Sequence, residues 1–127
     1  MAITTAGMDA MLGILDATVY LETHDGAPGA DGSTNRVIAT PLPSIAFGAA
    51  ATDGGTGRER KGPSATAITL TDPGAGTYQA WSIWNSDNSG TGDCLWIIPF
   101  GTNRTLSAGD DLRCPVDGVT CGVAPAP

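Results

Sequence analysis

Residues 77–100 read TYQAWSIWNSDNSGTGDCLWIIPF, two apolar runs separated by a polar segment that contains glycine. Alternation along residues 77–85 predicts a strand with two faces, one carrying Trp81 and Ile83 and the other carrying Tyr78, Ala80, Ser82 and Trp84. The second run, residues 94–100, is continuously apolar, which predicts a strand buried on both faces. These two strands indicate a protein built around β-sheet.

Further short apolar runs on either side of this stretch extend the β-sheet prediction. They are residues 18–23, 36–40, 44–48, 66–71, 104–106, 111–114 and 119–123. Many of the 18 glycines and 9 prolines fall between these runs, as expected at tight turns. Such spacing predicts a mainly β fold, a β-sandwich or jelly-roll-like barrel of about eight short antiparallel strands. Residues 52–63 are predicted to form a long flexible loop.

One short helix is predicted before the first strand, over residues 4–16. Thr4 is the expected N-cap, because its side-chain oxygen can accept a hydrogen bond from the first turn. Met8, Met11, Leu12 and Leu15 follow the spacing of a single apolar stripe. A helix this short is marginal by itself, so we expect the stripe to pack against a sheet or a neighbouring subunit.

Length and charge limit the possible organisation and partners. A chain of 127 residues fits one domain, here divided into helix (4–16), β-sandwich (17–123) and a flexible proline-rich tail (124–127). The net charge of −7 argues against a nucleic-acid partner. No apolar run is long enough to span a membrane, and residues 1–13 lack the features of a signal peptide. We expect synthesis in a host cytoplasm without secretion.

The three cysteines leave two possibilities open. If Asp117 and Gly118 form a two-residue hairpin turn, Cys114 faces Cys121 within disulfide range. A reducing compartment and the odd number of cysteines instead favour free thiols. Free thiols are the expectation.

No pattern indicates catalysis, a metal or a cofactor. His24 is the single histidine and no nucleophile motif accompanies it, so a surface histidine is expected and an enzyme is not. Asp25 and Asp31 share a glycine-rich loop, but they lack the alternating ligands of a calcium loop and are expected to cap turns. Cysteine and histidine spacing does not suit zinc.

Two groups of side chains are candidates for binding. Trp81, Trp84 and Trp96 lie on adjacent predicted strands, where they could stack on sugars, although a place in the core is expected. The only basic cluster contains Arg58, Arg60 and Lys61. It is either a solvated loop tip or a contact to an acidic neighbouring subunit. These three residues are the candidate interaction site.

Four segments in order resemble small bacteriophage virion proteins of the head-decoration and minor-tail (tail-fibre-like) family: residues 4–15, 19–28, 78–85, and 106–112 with 118–120. The chain differs from that pattern at Ser82, where a glycine is usual, and in the order of Thr23 and His24. The resemblance implies a β-sandwich on a particle surface, with no catalytic residues.

Three functions follow from the resemblance and the composition. The main expectation is a head decoration or minor capsid protein that binds the major capsid protein, with copies of itself around a three-fold axis. The alternative is a minor tail or tail-fibre protein that contacts tail proteins and the host surface. A carbohydrate-binding module is the weaker alternative.

Overall fold

The computed structural model describes residues 3–37, 41–88 and 91–125. It opens with helix α1 (Thr5–Leu12) and a 3₁₀ turn (Gly13–Asp16). Nine strands follow: β1 (Val19–His24), β2 (Ser44–Ile45), β3 (Ala51–Thr52), β4 (Arg58–Gly62), β5 (Ile68–Leu70), β6 (Gly76–Trp84), β7 (Cys94–Leu106), β8 (Leu112–Cys114) and β9 (Val119–Val123).

The strands form three antiparallel sheets. The first has the order β2-β1-β6-β7, the second β3-β4-β9, and the third is the ribbon β5-β8. Within the described residues these sheets do not close into a barrel, so the mainly β, sandwich-like prediction is confirmed without the barrel option. None of the helices described is long and apolar enough to cross a membrane.

The hydrophobic core lies between the inner faces of the sheets. Leu21 pairs with Ile83 and Thr23 with Trp81 across β1 and β6, so these four side chains share the inner face of the first sheet. Leu112 and Cys114 of β8 and Val119 and Cys121 of β9 close the core from the other side. All the apolar members are buried. The alternation predicted along β6 therefore holds for Trp81 and Ile83.

Helix α1 packs against β4 and β9. The Thr4 hydroxyl accepts the Gly7 N–H at 3.0 Å, which confirms the predicted N-cap. Met8, Leu12 and Leu15 are buried as predicted, but Met11 is 54% exposed. The prediction for Met11 was wrong because this residue lies at the margin of the apolar stripe. The part of the stripe that contacts the sheet is narrower than the sequence spacing indicated.

Strand β7 differs most from its prediction. It is the edge of the first sheet, and its apolar side chains are half-buried rather than enclosed on both faces. An apolar run does not reveal whether a strand is central or at an edge. The separate strand predicted at residues 104–106 is the end of β7, which continues past an irregularity: Tyr78 pairs with Arg104, but Ala80 pairs with Pro99. Residues 100–103 therefore bulge opposite Gln79 alone.

Other predicted boundaries also changed. The predicted flexible loop 52–63 contains β4, the central strand of the second sheet. In the predicted strand 36–40, Arg36 makes only an isolated bridge with His24, and residues 38–40 lie outside the described residues. The predicted strand 44–48 shortens to Ser44–Ile45. Of the predicted tail, residues 124 and 125 have no regular structure, and 126–127 are not described.

Candidate functional site

The outer face of the first sheet carries a buried polar layer. Glu22 and His24 alternate with core residues on β1, and Ser82 lies opposite Glu22 on β6. All three are at most 1% exposed. Burying polar groups is unfavourable unless each finds a partner, and none of the described buried side-chain nitrogen or oxygen atoms lacks one.

His24 is the centre of this layer, so its prediction as a surface histidine was wrong. Its Nδ1 lies 2.9 Å from the Thr34 carbonyl and its Nε2 lies 2.8 Å from Ser82 Oγ. A carbonyl can only accept, so Nδ1 carries a proton, and in the tautomer protonated on Nδ1 alone Nε2 accepts from the Ser82 hydroxyl. Ser82 Oγ in turn accepts the Trp84 Nε1–H at 2.7 Å.

Serine and histidine at hydrogen-bond distance suggest a nucleophile, but the surroundings oppose that chemistry. Both side chains are completely buried. The oxygen that would attack is already the acceptor of the Trp84 N–H, and the other imidazole nitrogen faces a carbonyl instead of a carboxylate. The pair is therefore a structural network. No sequence pattern indicated this pair, because the two residues are 58 positions apart.

An ion pair between Arg36 and Glu22 completes the buried polar layer, beneath the loop formed by residues 25–37. Arg36 donates from Nε to Glu22 Oε1 and from Nη2 to Oε2, the latter at 3.1 Å. Its guanidinium also lies 3.6 Å from the centroid of the Trp84 ring. The Arg36 and Glu22 side chains are only 10% and 0% exposed, so the pair fixes the loop from inside the protein.

The aspartates of this loop shape its turns. Asp31 Oδ1 accepts both the Ser33 hydroxyl at 2.7 Å and the Ser33 N–H at 3.0 Å. The hydrogen bond from the Ser33 hydroxyl, and to a smaller extent that from the Ser33 N–H, lowers the pKa of Asp31 below its usual value. The predicted turn-capping role is confirmed for Asp31. In the part of the chain that is described, no three acidic, histidine or cysteine side chains gather at a potential metal site.

The predicted interaction cluster lies on β4, where its two arginines contact the helix and the turn that follows it. Arg58 Nε donates to Asp9 at 2.7 Å, and Arg60 Nη1 pairs with Asp16 at 2.8 Å. Arg60 also donates to the carbonyls of Gly48, Phe47 and Leu12. Lys61 is exposed. The flexible-loop placement was wrong, because β4 pairs with β3 and β9 and the two guanidinium groups bind the helix and the turn that follows it. An interaction role for Arg58, Arg60 and Lys61 stays a prediction.

The tryptophans do not form one exposed row. Trp81 is in the core, Trp84 is buried under Arg36, and Trp96 is half-buried and donates to the Gly122 carbonyl at 3.3 Å. The expectation of a core role is confirmed for Trp81 and Trp84, which are 4% and 3% exposed.

The three cysteines are free thiols. The expectation of free thiols is confirmed, and the alternative hairpin between Cys114 and Cys121 does not form, because β8 pairs with β5 while β9 pairs with β4. Residues 115–118 instead form a turn, with the Gly118 N–H donating to the Pro115 carbonyl at 2.8 Å. Burial raises the pKa of Cys114 to about 11 and that of Cys121 to about 12.

An open cavity of about 410 Å³ lies at the bulge of β7. The bulge residues 100–103 form much of its wall, together with Trp81, Arg104 and Gly118. Phe100 packs edge-on against Trp81, with ring centroids 5.2 Å apart, and the Arg104 guanidinium lies 5.5 Å from the Phe100 centroid. Arg104 Nη1 donates to the Arg113 carbonyl at 3.2 Å. Aromatic and cationic groups thus meet at an exposed surface.

Comparison with known proteins identifies the family. The family model described as Podophage GP4 fiber I protein gp80 matches residues 14–122. This range includes the whole of β1 to β8 and most of β9, while α1 precedes it. No curated protein and no solved structure matches the chain. The chain belongs to the podophage fibre I protein family, and it is therefore a structural protein of a bacteriophage particle.

Proposed function

We propose that this protein is a tail-fibre component that joins tail proteins and contacts the host surface. The observation that carries the proposal is the fibre-family match across residues 14–122, which takes in nearly the whole sandwich. Membership in a fibre family supports the tail alternative of the sequence analysis over its main expectation of head decoration. The half-exposed apolar side chains of β7 give the sandwich a surface suited to protein contacts.

The tail location can be tested on purified particles with gold-labelled antibodies against this protein. Label at the tail, with a copy number of a handful to a few dozen per particle, is expected. Label distributed over the head in hundreds of copies would contradict the proposal. Purified protein should also compete with particles for adsorption to host cells, whereas bovine serum albumin at equal concentration should not.

The role proposed here is structural and not catalytic. The one serine–histidine pair found in the described residues is buried and engaged in fixed hydrogen bonds. Host envelope polysaccharide incubated with the protein should keep its chain length by gel filtration. Shortening of the polysaccharide that is abolished by His24→Ala would overturn this part of the proposal, provided that the variant keeps the wild-type circular dichroism spectrum.

Self-association, with a trimer as the expected form, completes the proposal. Fibres are built from repeated contacts, and weak contacts become strong when symmetry multiplies them. Light scattering coupled to gel filtration should give a mass of about three chains of 12.8 kDa. A monomer at all concentrations tested, and in the presence of the tail proteins, would contradict this expectation.

A further inference from the structure

Two of the exposed apolar side chains of this molecule are neighbours. Among the described residues, the exposed large hydrophobic side chains are Met11, Ile14 and Val116, at 54%, 46% and 45% exposure. Met11 is near the end of α1, and Ile14 lies in the 3₁₀ turn that follows. Residues three or four apart on a helix are adjacent, so Met11, Ile14 and the exposed Ala10 form one surface, the α1 surface.

The helix carries more apolar surface than its contact with the second sheet uses. Met8, Leu12 and Leu15 are buried, and α1 packs against β4 and β9. The side of a surface helix that faces water normally carries charged or polar residues, whereas here an adjacent side carries alanine, methionine and isoleucine. Contiguous exposed apolar side chains mark surfaces that bind a partner.

The α1 surface is uncharged although the protein is strongly acidic. Residues 3–18 contain no basic residue, and their two carboxylates, those of Asp9 and Asp16, are paired with arginines of β4. The chain as a whole has a net charge of −7, so identical copies repel each other. That repulsion is weakest where charge is absent or neutralised. The α1 surface is therefore suited to contact between two copies of this chain.

The same absence of charge argues against a membrane as the occupant of this surface. Helices that lie on membranes carry lysine or arginine, which bind anionic lipid headgroups. Residues 3–18 contain neither. A partner recognised through its own charge would likewise find no unpaired opposite charge on the α1 surface.

We infer that the α1 surface packs against the same surface of neighbouring copies of this chain, around the axis of the proposed trimer. The inference rests on the proposed function and specifies which residues make the self-association. Three side chains provide far less than the roughly 800 Å² per partner of a standard interface, so the contact by itself is weak, with a Kd of roughly 10–100 µM. Repetition of the contact by symmetry strengthens it in the particle.

Sedimentation velocity on the full chain, from about 5 to about 500 µM, tests the inference. The mass of wild type should rise from one chain of 12.8 kDa toward three chains. Met11→Glu and Ile14→Glu bring like charges together in the contact, so each should weaken association at least about tenfold. Val116→Glu adds the same charge at a side chain of similar exposure in the turn 115–118, and it should stay within about twofold of wild type.

Thermal melts at about 5 µM, where the chain is a monomer, show whether the variants fold. All three should melt within about 2 °C of wild type, because the substituted side chains are exposed.

Crosslinking gives a second measurement that adds no charge. A short bismaleimide should produce at least about fivefold more crosslinked dimer from Met11→Cys than from Val116→Cys, because the contact holds the introduced thiols together. Wild type gives the background from Cys94, since Cys114 and Cys121 are buried. Equal crosslinking of the two variants would contradict a contact through the α1 surface.

The outcomes also separate this inference from the proposed function. Association of Met11→Glu and Ile14→Glu that equals wild type would overturn the inference, and so would an equal loss in Val116→Glu. If the two helix variants self-associate normally but enter particles poorly, the α1 surface binds another tail protein and the inference is wrong. Wild type that stays monomeric up to about 500 µM also overturns it, while antibody label at the tail would still support the proposed function. Label on the head would contradict the proposed function even if the α1 surface self-associates.

Discussion

At the scale of single residues, the buried pair of Glu22 and Arg36 shows how charge is used inside this small sandwich. Taking both side chains out of water is unfavourable, and their attraction and hydrogen bonds offset that cost only while both are present. Arg36 also covers the Trp84 ring, which is 3.6 Å from the guanidinium. The pair therefore contributes to the position of the loop more clearly than to the overall free energy of folding.

Removal of the cation alone is expected to destabilise the protein strongly. Arg36→Met keeps a side chain of similar length but leaves the Glu22 carboxylate buried without its counter-ion, so the free energy of unfolding should fall by about 3 kcal/mol in urea titrations. Arg113→Met changes an exposed arginine that forms no ion pair with any described residue, and it should shift the free energy of unfolding by no more than about 0.5 kcal/mol. Equal effects of the two substitutions would show that the buried pair has no special role.

Thiol reactivity follows from burial at Cys114 and Cys121. Both are 0% exposed and burial raises their pKa values to about 11 and about 12, so almost no thiolate is present at pH 8. In the native protein both should resist Ellman's reagent for hours, while half-buried Cys94 reacts first. All three should react at once in 6 M guanidinium chloride. Rapid native labelling of Cys121, identified by mass spectrometry, would contradict the burial.

At the scale of elements, helix α1 depends on its contact with the second sheet. Its eight residues are too few for a stable isolated helix, so burial of Met8 and Leu12 must supply the stability. The Arg58–Asp9 and Arg60–Asp16 pairs tie β4 to the same helix and to the turn that follows it. Charge reversal of Arg58 and Arg60 would therefore disturb the fold itself, and only Lys61 can test an external contact of the cluster cleanly.

Truncation of neighbouring helix residues should separate the buried face from the exposed one. Leu12→Ala removes a side chain that is 0% exposed and should lower the free energy of unfolding by about 3 kcal/mol. Met11→Ala alters a side chain that is 54% exposed and should change it by less than about 0.5 kcal/mol, because alanine also favours helix. If Leu12→Ala melts like wild type, the helix does not pack on the sheet.

The loop of residues 25–37 requires a glycine at position 32. Its φ is +74°, and a Cβ there would lie 2.6 Å from Cys94 Sγ. Gly54 has a φ of +91° but open space around it. Gly32→Ala should cost about 3 kcal/mol, whereas Gly54→Ala should cost only about 1 kcal/mol, the strain of a left-handed alanine. Thermal unfolding of both variants checks this prediction. Equal decreases in Tm would show that the loop does not pack closely against β7 at Gly32.

At the scale of the whole molecule, the net charge of −7 and the specific ion pairs oppose each other as pH falls. Protonation of carboxylates reduces general repulsion, which favours the folded state. Protonation of a carboxylate that is paired in the folded state has the opposite effect. The hydrogen bond from Arg58 lowers the pKa of Asp9, so this contribution is complete above the ordinary pKa near 4 and disappears as pH falls through the lowered value.

Acid titration of stability should show this contribution. The difference in unfolding free energy between wild type and Asp9→Asn is expected to be largest above pH 5 and to shrink toward zero below pH 3. Asp87→Asn is the control, because no cation lies within ion-pairing distance of Asp87 in the described residues. Urea titrations at pH 2.5 to 7 give the comparison. A difference that stays constant with pH would show that the Asp9–Arg58 pair does not contribute to stability.

Local patterns along the chain were enough to predict the fold class and the positions of most strands. Alternating residues on β6, the capped helix stripe and the density of glycine and proline are local signals, and local signals report backbone conformation directly. The same signals identified Trp81 and Ile83 as core residues. The resemblance to phage virion proteins gave the correct class of particle, although it placed the protein first on the head.

Which residues contact one another could be read only from the folded structure. His24 and Ser82 are far apart in sequence and form one hydrogen bond, while Cys114 and Cys121 are close in sequence and belong to different sheets. The Arg104 side chain likewise donates a hydrogen bond to the backbone carbonyl of Arg113, which lies on a strand of another sheet. Strand partners, edge positions and bulges depend on the packing of the whole chain. The hydrophobic periodicity of a single segment does not report that packing.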